Sequence, residues 1–167
     1  MSRRRSAREE GKLEKKIRGL LVVLLIGVLI YGGMELADPG FQIQGIPENL
    51  VIVYDSGHTH AMYGRTRYVV TADGKGKKYE IRGVMSSDTE PTSTFSISPE
   101  GLKRIVDTIN RTRFFKVAPN HENPNISGGS SHYISVQAGS VSHMVVARMT
   151  SVPAIDEISK AIFAEMR

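Results

Sequence analysis

The segment from residue 55 to residue 60, Asp-Ser-Gly-His-Thr-His, carries the side chains best suited to chemistry. Alternate side chains of an extended chain point to the same side, so His58 and His60 would project together, as two imidazole ligands of zinc or copper do. Asp55 could supply a third ligand. The competing interpretation is a solvated polar loop between two strands, because the other histidines are scattered through separate segments. We expect the solvated loop and keep metal or small-ligand binding as the alternative.

Other patterns that resemble catalytic or phosphate-binding motifs lack the required spacing. The Gly-Lys-Gly-Lys-Lys run at 74–78 has no Walker spacing and falls in a predicted hairpin turn. Ser131 and His132 are neighbours in a predicted strand, so they point to opposite faces and cannot form a nucleophile and base. The chain contains no cysteine, which excludes a thiol nucleophile, disulfides and a lipid-anchored lipoprotein. We therefore expect no enzyme activity and no cofactor.

The beginning of the chain has the pattern of a membrane anchor. Eight Lys and Arg residues crowd residues 1–18, and no charge occurs from Gly19 to Met34. A helix over that run rises about 24 Å, at about 1.5 Å per residue, and needs its flanks to cross a hydrocarbon core of about 30 Å. Three basic residues beside the run could reach lipid headgroups: Lys15, Lys16 and Arg18. We expect one transmembrane helix over 19–37, with a cytoplasmic amino terminus.

A cleavable secretory signal is the alternative, since it also combines a basic head with an apolar run. Cleavage needs small residues at the first and third positions before the cut. A cut after Ala37 would have Glu35 at the third position, and a cut after Gly33 would have Tyr31 there. We therefore expect an uncleaved anchor in the inner membrane of a bacterium, with the rest of the chain in the periplasm. Three glycines of the helix would allow close packing against helices of partner proteins: Gly27, Gly32 and Gly33.

The net charge of +5 is concentrated in the first 18 residues. They contain eight basic and three acidic residues, and subtracting these from the totals of 22 and 17 leaves 14 of each sign in the remainder. A formally neutral outer domain gives no electrostatic support to nucleic-acid binding. The basic excess instead fits a topology signal in contact with anionic lipid headgroups.

The elements that position these residues follow from the alternation of apolar and polar side chains. Four strands are predicted on β-branched and aromatic runs, at 50–54, 68–71, 79–82 and 94–97. An Asp-Gly turn at 73–74 joins the second and third. A helix begins at Pro99 after the capping residue Ser98, and its apolar residues recur at helical spacing until about Arg113.

Four basic residues lie on or beside the outer face of this helix: Lys103, Arg104, Arg111 and Arg113. They form either a solvated face or a contact with acidic lipid or a partner. Residues 118–129 are predicted as a polar loop. Two further strands, 133–137 and 141–148, follow, and a last helix begins near Pro153.

A three-residue turn at 138–140 between the two later strands would place Ile134 opposite Met144 and Val136 opposite Ser142. Met144 and Val146 would then join the buried face. The prolines and glycines of 38–47 predict a linker, and 48–167 is long enough for one compact domain. The fold class is α+β: a transmembrane helix followed by an antiparallel sheet with two helices packed on one face.

Several segments of this domain resemble a family of uncharacterised bacterial exported domains. They are Tyr-Val-Val-Thr-Ala-Asp-Gly at 68–74, Phe-Ser-Ile-Ser-Pro-Glu-Gly-Leu at 95–102, the Arg-Phe-Phe at 113–115, and the closing hairpin and helix. The resemblance covers roughly residues 49–166. Members of that family commonly follow a lipoprotein signal or a membrane anchor, so the resemblance implies an exported domain, and it carries no known catalytic residues.

The anchor, the linker and the domain together predict an interaction protein. We expect a single-pass accessory subunit of a larger integral-membrane assembly, such as an energy-transducing complex, with a periplasmic interaction domain. Its partners would be the lipid bilayer and integral-membrane proteins. The alternative function is an extracytoplasmic sensor that binds a metal or small ligand through residues 55–60.

Overall fold

The computed structural model of the protein describes residues 40–58, 64–81, 90–126 and 128–167. The predicted cytoplasmic segment and transmembrane helix lie outside these ranges, with their lipid-contacting cations and packing glycines, and so does His60. Within the described ranges, no helix combines the length and the apolar character needed to cross a bilayer.

A seven-stranded sheet forms the centre of the described domain. Its strands are β1 (Val51–His58), β2 (Arg65–Thr71), β3 (Lys75–Ile81), β4 (Ser93–Ser96), β5 (Asn120–Glu122), β6 (Ser130–Ala138) and β7 (Val141–Arg148). They lie side by side in the order β4-β3-β2-β1-β6-β7-β5. Neighbouring strands are antiparallel except β5, which runs parallel to β7.

The sheet is therefore mixed, whereas the sequence predicted a purely antiparallel one. The parallel strand β5 lies in the segment predicted as a polar loop, and its Asn-His-Glu sequence offers no apolar alternation to reveal a strand. It pairs only with the edge of β7, where Asn120 lies beside Val146. A short polar strand at a sheet edge needs no buried side chain.

Two helices lie on one face of this sheet, as predicted. Helix α1 (Pro99–Arg111) begins where the Ser98 hydroxyl accepts a hydrogen bond from the backbone N–H of Gly101, at 3.1 Å. Helix α2 (Pro153–Glu165) places Phe163 edge-on against Tyr54 of β1 and Tyr68 of β2, with ring centres 5.6 and 5.1 Å apart. These contacts identify the face that the helices cover.

The core lies between the helices and this face. The sheet contributes side chains that are fully buried: Ile52, Val70, Ile134, Val136 and Val145. The helices contribute the stripes predicted from their spacing, Leu102, Ile105, Val106 and Ile109 from α1 and Ile155, Ile158 and Ile162 from α2. Burial of apolar surface on this face is the main source of stability for the domain.

The predicted register of the β6–β7 hairpin is wrong by one residue. The turn has two residues, with Gly139 at φ 63°, so Ile134 pairs with Val145 and Val136 with His143. Val145 is consequently buried, and Met144 points to the other face with 39% of its surface exposed. The error arose because β7 has apolar residues on both of its faces. A two-residue turn and a three-residue turn therefore each place apolar residues of β7 beside Ile134 and Val136.

Part of the predicted linker is packed against the domain. Ile43 is only 4% exposed, and its backbone N–H and C=O form hydrogen bonds with the Asn110 side chain, at 2.9 and 3.0 Å. Phe41 packs edge-on against Phe115, with ring centres 4.7 Å apart. The chain is thus fixed to the end of α1 before β1 begins.

Candidate functional site

The segment predicted as a polar loop after the first strand continues that strand instead. β1 runs to His58, and Asp55 in it is 0% exposed. The alternation of side chains places Asp55 on the helix-free face and His58 on the helix-covered face, so strand geometry separates these two candidate ligands. In the described part of the chain, no three histidine, aspartate or glutamate side chains are grouped to hold a metal ion.

Asp55 is bound by two arginines of the neighbouring strand β2. The Nε of Arg65 donates to one carboxylate oxygen at 2.6 Å, and the Nε of Arg67 donates to the other at 3.0 Å. Arg67 lies directly opposite Asp55 in the register, and Arg65 is two residues away on the same face. Two charge-assisted hydrogen bonds compensate for the burial of the carboxylate.

Gly57 explains how Arg65 reaches this carboxylate. The two residues face each other across the β1–β2 pair. A Cβ atom at position 57 would lie 2.7 Å from the Cγ of Arg65 and 2.8 Å from the backbone oxygen of Gly64. The absence of a side chain at Gly57 therefore lets Arg65 lie across β1 towards Asp55.

Tyr133 of β6 completes the cluster from the other side of β1. It lies opposite Asp55 in the register, and the guanidinium carbons of Arg65 and Arg67 are 5.7 and 6.0 Å from its ring centre. Such distances allow cation–π attraction. Burial, followed by the nearby negative charge of Asp55, raises the pKa of Tyr133 to about 12, so the phenol stays protonated at neutral pH.

We call Asp55, Arg65, Arg67 and Tyr133 the arginine–tyrosine cluster. It contains two cations and one anion, so an uncompensated positive charge remains. The side chains of Arg65 and Arg67 are 30% and 39% exposed, and each binds Asp55 through Nε. Their terminal guanidinium nitrogens lie beyond that bond and can form paired hydrogen bonds with a carboxylate or phosphate.

The cluster lies on the face of the sheet that neither α1 nor α2 covers, which we call the helix-free face. The register assigns partly buried or exposed apolar residues to the same face: Val51, Val53, Val69, Met144 and Val146. Lys77 and Tyr79 of β3 join them beside β2. The face combines cationic, aromatic and apolar side chains, which is the composition that protein interfaces favour.

The four basic residues on or beside α1 divide into two kinds. Arg104 binds Glu165 with two hydrogen bonds of 2.7 Å, and Arg111 binds Glu157 at 2.6 Å. Both glutamates belong to α2, so these two arginines join the helices in antiparallel orientation. For Lys103 and Arg113, the described residues provide no ion pair.

The sequence did not lead us to the arginine pair or to Tyr133. Arg65 and Arg67 precede the segment predicted as the second strand, and that strand in fact begins at Arg65. Two arginines at alternate positions, together with an aspartate in the preceding strand, were the available signal. Recognising it required the strand pairing, which places Tyr133 and Arg67 on either side of Asp55.

Comparisons with known proteins do not assign a family to the chain. No protein-family model matches it, and no curated protein sequence is significantly similar to it. The resemblance to exported bacterial domains stays a prediction, and a function has to be argued from the described geometry.

Proposed function

We propose that the protein is a single-pass, membrane-anchored accessory subunit of a larger integral-membrane assembly, and that its periplasmic domain binds a partner protein through the helix-free face. The observation that carries this proposal is the arginine–tyrosine cluster, which presents two partly exposed arginines on a sheet face that the described helices leave uncovered. The predicted anchor at 19–37 supports a partner in the same membrane.

Arginine and tyrosine are, with tryptophan, the side chains enriched among the residues that dominate binding energy in protein interfaces. Here their conformations are already restricted, because Asp55 holds both guanidinium groups and the Tyr133 ring lies beneath them. A side chain fixed before binding loses less conformational entropy when the complex forms. The cluster is therefore suited to contribute affinity as well as charge.

The charge of the face determines the kind of partner. The cluster keeps an excess positive charge, and β3 adds the exposed Lys77 on the same alternation, whereas the charge of Lys75 is taken by Asp73 at 2.8 Å. The complementary surface is an acidic segment of a protein, whose Asp or Glu carboxylates would each match the planar fork of a guanidinium group.

The proposal is tested by removing the whole charged set at once. The triple variant Asp55→Asn, Arg65→Gln, Arg67→Gln leaves no unpaired buried charge, so the domain should still fold. The amount of partner protein that copurifies with the full chain from gently solubilised membranes should fall about tenfold or more relative to the wild type. The reason is that the loss of one interface hot spot costs about 2 kcal/mol of binding free energy. Quantitative mass spectrometry of the copurified proteins measures this.

The matched control is Lys77→Gln, which removes one positive charge from the same face outside the cluster and so equals the net charge change of the triple variant. It should reduce copurification by less than about threefold, because exposed charges at a rim act mainly on association rate. A folded triple variant that retains its full set of partners would contradict the proposed binding face.

A charge-conserving variant separates shape recognition from simple attraction. Arg65→Lys with Arg67→Lys keeps both charges but removes the planar donor forks. We expect copurification to stay close to that of the triple variant. Full recovery by lysine would mean that the face attracts its partner by charge alone.

A further inference from the structure

A cleft of about 200 Å³ lies where the described chain begins, at the end of α1. It is lined by Gly40, Phe41, Gln42, Asn110, Arg113 and Lys116. At about 30 Å³ for each water molecule, this space could hold a hydrated tetrahedral oxyanion. Arg113 and Lys116 are exposed cations, and no residue that the structure describes forms an ion pair with either.

The walls of the cleft are fixed by contacts already described. Asn110 binds both backbone polar groups of Ile43, and Phe41 rests against Phe115. Lys116 ends a 3-10 turn, Phe114–Lys116. Its own backbone N–H donates to the Arg113 carbonyl at 2.8 Å. The two cations therefore lie at the same end of the domain as residues 40–43, where the described chain begins.

The predicted anchor ends only a few residues before this cleft along the chain. Gly40 follows the end of the predicted transmembrane helix, Ala37, by three residues, which span at most about 10 Å when fully extended. The headgroup layer on one side of a bilayer is about 5–8 Å deep. A protein anchored over 19–37 therefore keeps the cleft within reach of lipid headgroups.

Arg113 occupies a backbone conformation that favours glycine. Its φ and ψ of 51° and 43° lie in the left-handed region, directly after the residue that caps α1. Glycine would adopt this conformation without the steric cost of a Cβ atom. Arg113 and Met149 are the non-glycine residues with positive φ in the described part of the chain, and at Arg113 the steric cost coincides with an exposed cation that lines the cleft.

We propose that Arg113 and Lys116 bind the phosphate group of an anionic phospholipid headgroup, and that the cleft holds the domain against its own membrane. This inference depends on the predicted anchor and not on the proposed protein partner, so either can fail without the other. Arg104 and Arg111, whose charges are taken by Glu165 and Glu157, have no such role.

The test uses the full chain in mild detergent, titrated with phosphatidylglycerol or phosphatidylcholine and measured by native mass spectrometry. Arg113→Gln with Lys116→Gln should weaken phosphatidylglycerol retention about thirtyfold, as expected for two cations at an anionic surface. The charge-matched control, Lys103→Gln with Lys160→Gln, should bind like the wild type. The cationic segment before residue 19 is the same in all variants, so differences report on the outer domain.

Two further outcomes decide the source of the phosphate and the role of Arg113. Inorganic phosphate in large excess should not displace the lipid, and displacement would mean a site for free oxyanions and overturn the lipid assignment. Arg113→Gly should raise the thermal midpoint by a few degrees while it lowers lipid retention. Equal retention by the cleft variant and the control, or a lower midpoint in Arg113→Gly, would contradict the proposal.

Discussion

The two faces of the sheet are stabilised in different ways. Beneath α1 and α2, the fully buried sheet residues are aliphatic, such as Ile134 and Val136. On the helix-free face, the side chain with no exposed surface is Asp55, and its burial depends on two arginines. Apolar burial thus stabilises one side of these strands. Paired charges give the other side its surface chemistry. Substitutions under the helices should therefore change stability without changing the surface chemistry of the helix-free face.

The largest difference is expected between two residues of the β6–β7 hairpin that lie on opposite faces of the sheet. Ile134→Ala creates a cavity under the helices and should lower the free energy of unfolding by about 3–4 kcal/mol. Met144→Ala, on the helix-free face, should lower it by less than about 1 kcal/mol. Urea unfolding of both variants measures the two losses of unfolding free energy. Equal losses would show that a further element covers the helix-free face as fully as the helices cover the other.

A smaller effect should distinguish the removal of one partner of the charged set from the removal of the whole set. Arg67→Ala leaves the Asp55 carboxylate buried with one partner, and should cost about 2–3 kcal/mol, less than a fully buried pair because Arg67 is partly solvated. The triple variant Asp55→Asn, Arg65→Gln, Arg67→Gln should cost less than this single substitution. Chemical denaturation gives both values. A triple variant with the larger loss would mean that the ion pairs themselves stabilise the fold.

The smallest effect concerns alkaline pH. Unfolded tyrosine loses its proton near pH 10, whereas the pKa of Tyr133 in the folded domain is about 12. The folded state therefore retains a proton that the unfolded state loses, and stability that is complete below pH 10 declines as the pH rises to 12. We expect about 2 kcal/mol of this loss by pH 12 to come from Tyr133.

Tyr133→Phe tests this pH dependence directly. The variant lacks the titrating group, so its stability should fall less steeply than that of the wild type between pH 10 and pH 12. Urea midpoints across this range provide the comparison. Parallel curves for the two proteins would remove Tyr133 from the explanation.

The sequence predicted the covered face much better than the helix-free one. Helix α1 is signalled by its capping Ser98 and by apolar residues at helical spacing, because a helix that packs on a core needs both. The β2–β3 turn is signalled by Asp73 and Gly74, and Gly74 does have a positive φ of 74°. Local physical requirements of this kind leave a direct record in the order of residues.

The helix-free face leaves a weaker record because its burial depends on pairing. The continuation of β1 through Asp55 looked like a loop, since an aspartate is costly in a strand unless a partner neutralises it. Those partners come from β2 and β6, and only the register brings Arg67 and Tyr133 beside it. The hairpin error at Met144 has the same origin, because one residue of slip reverses both faces.

The position of β1 in the middle of the sheet has a consequence for how the chain folds. β1 pairs with β2 across a short connection, but its other edge waits for β6, and the two hydrogen bonds between Asn49 and Gly139 join residues 90 positions apart. Because closing so long a loop costs more entropy, we expect these contacts to form after the local β1–β2–β3 meander. Until β6 arrives, the hydrogen-bonding edge of β1 is open to wrong pairing. We therefore expect the insertion of the β6–β7 hairpin beside β1 to be the slowest stage of folding, which pulse-labelling hydrogen exchange would contradict if β6 were protected as early as β2.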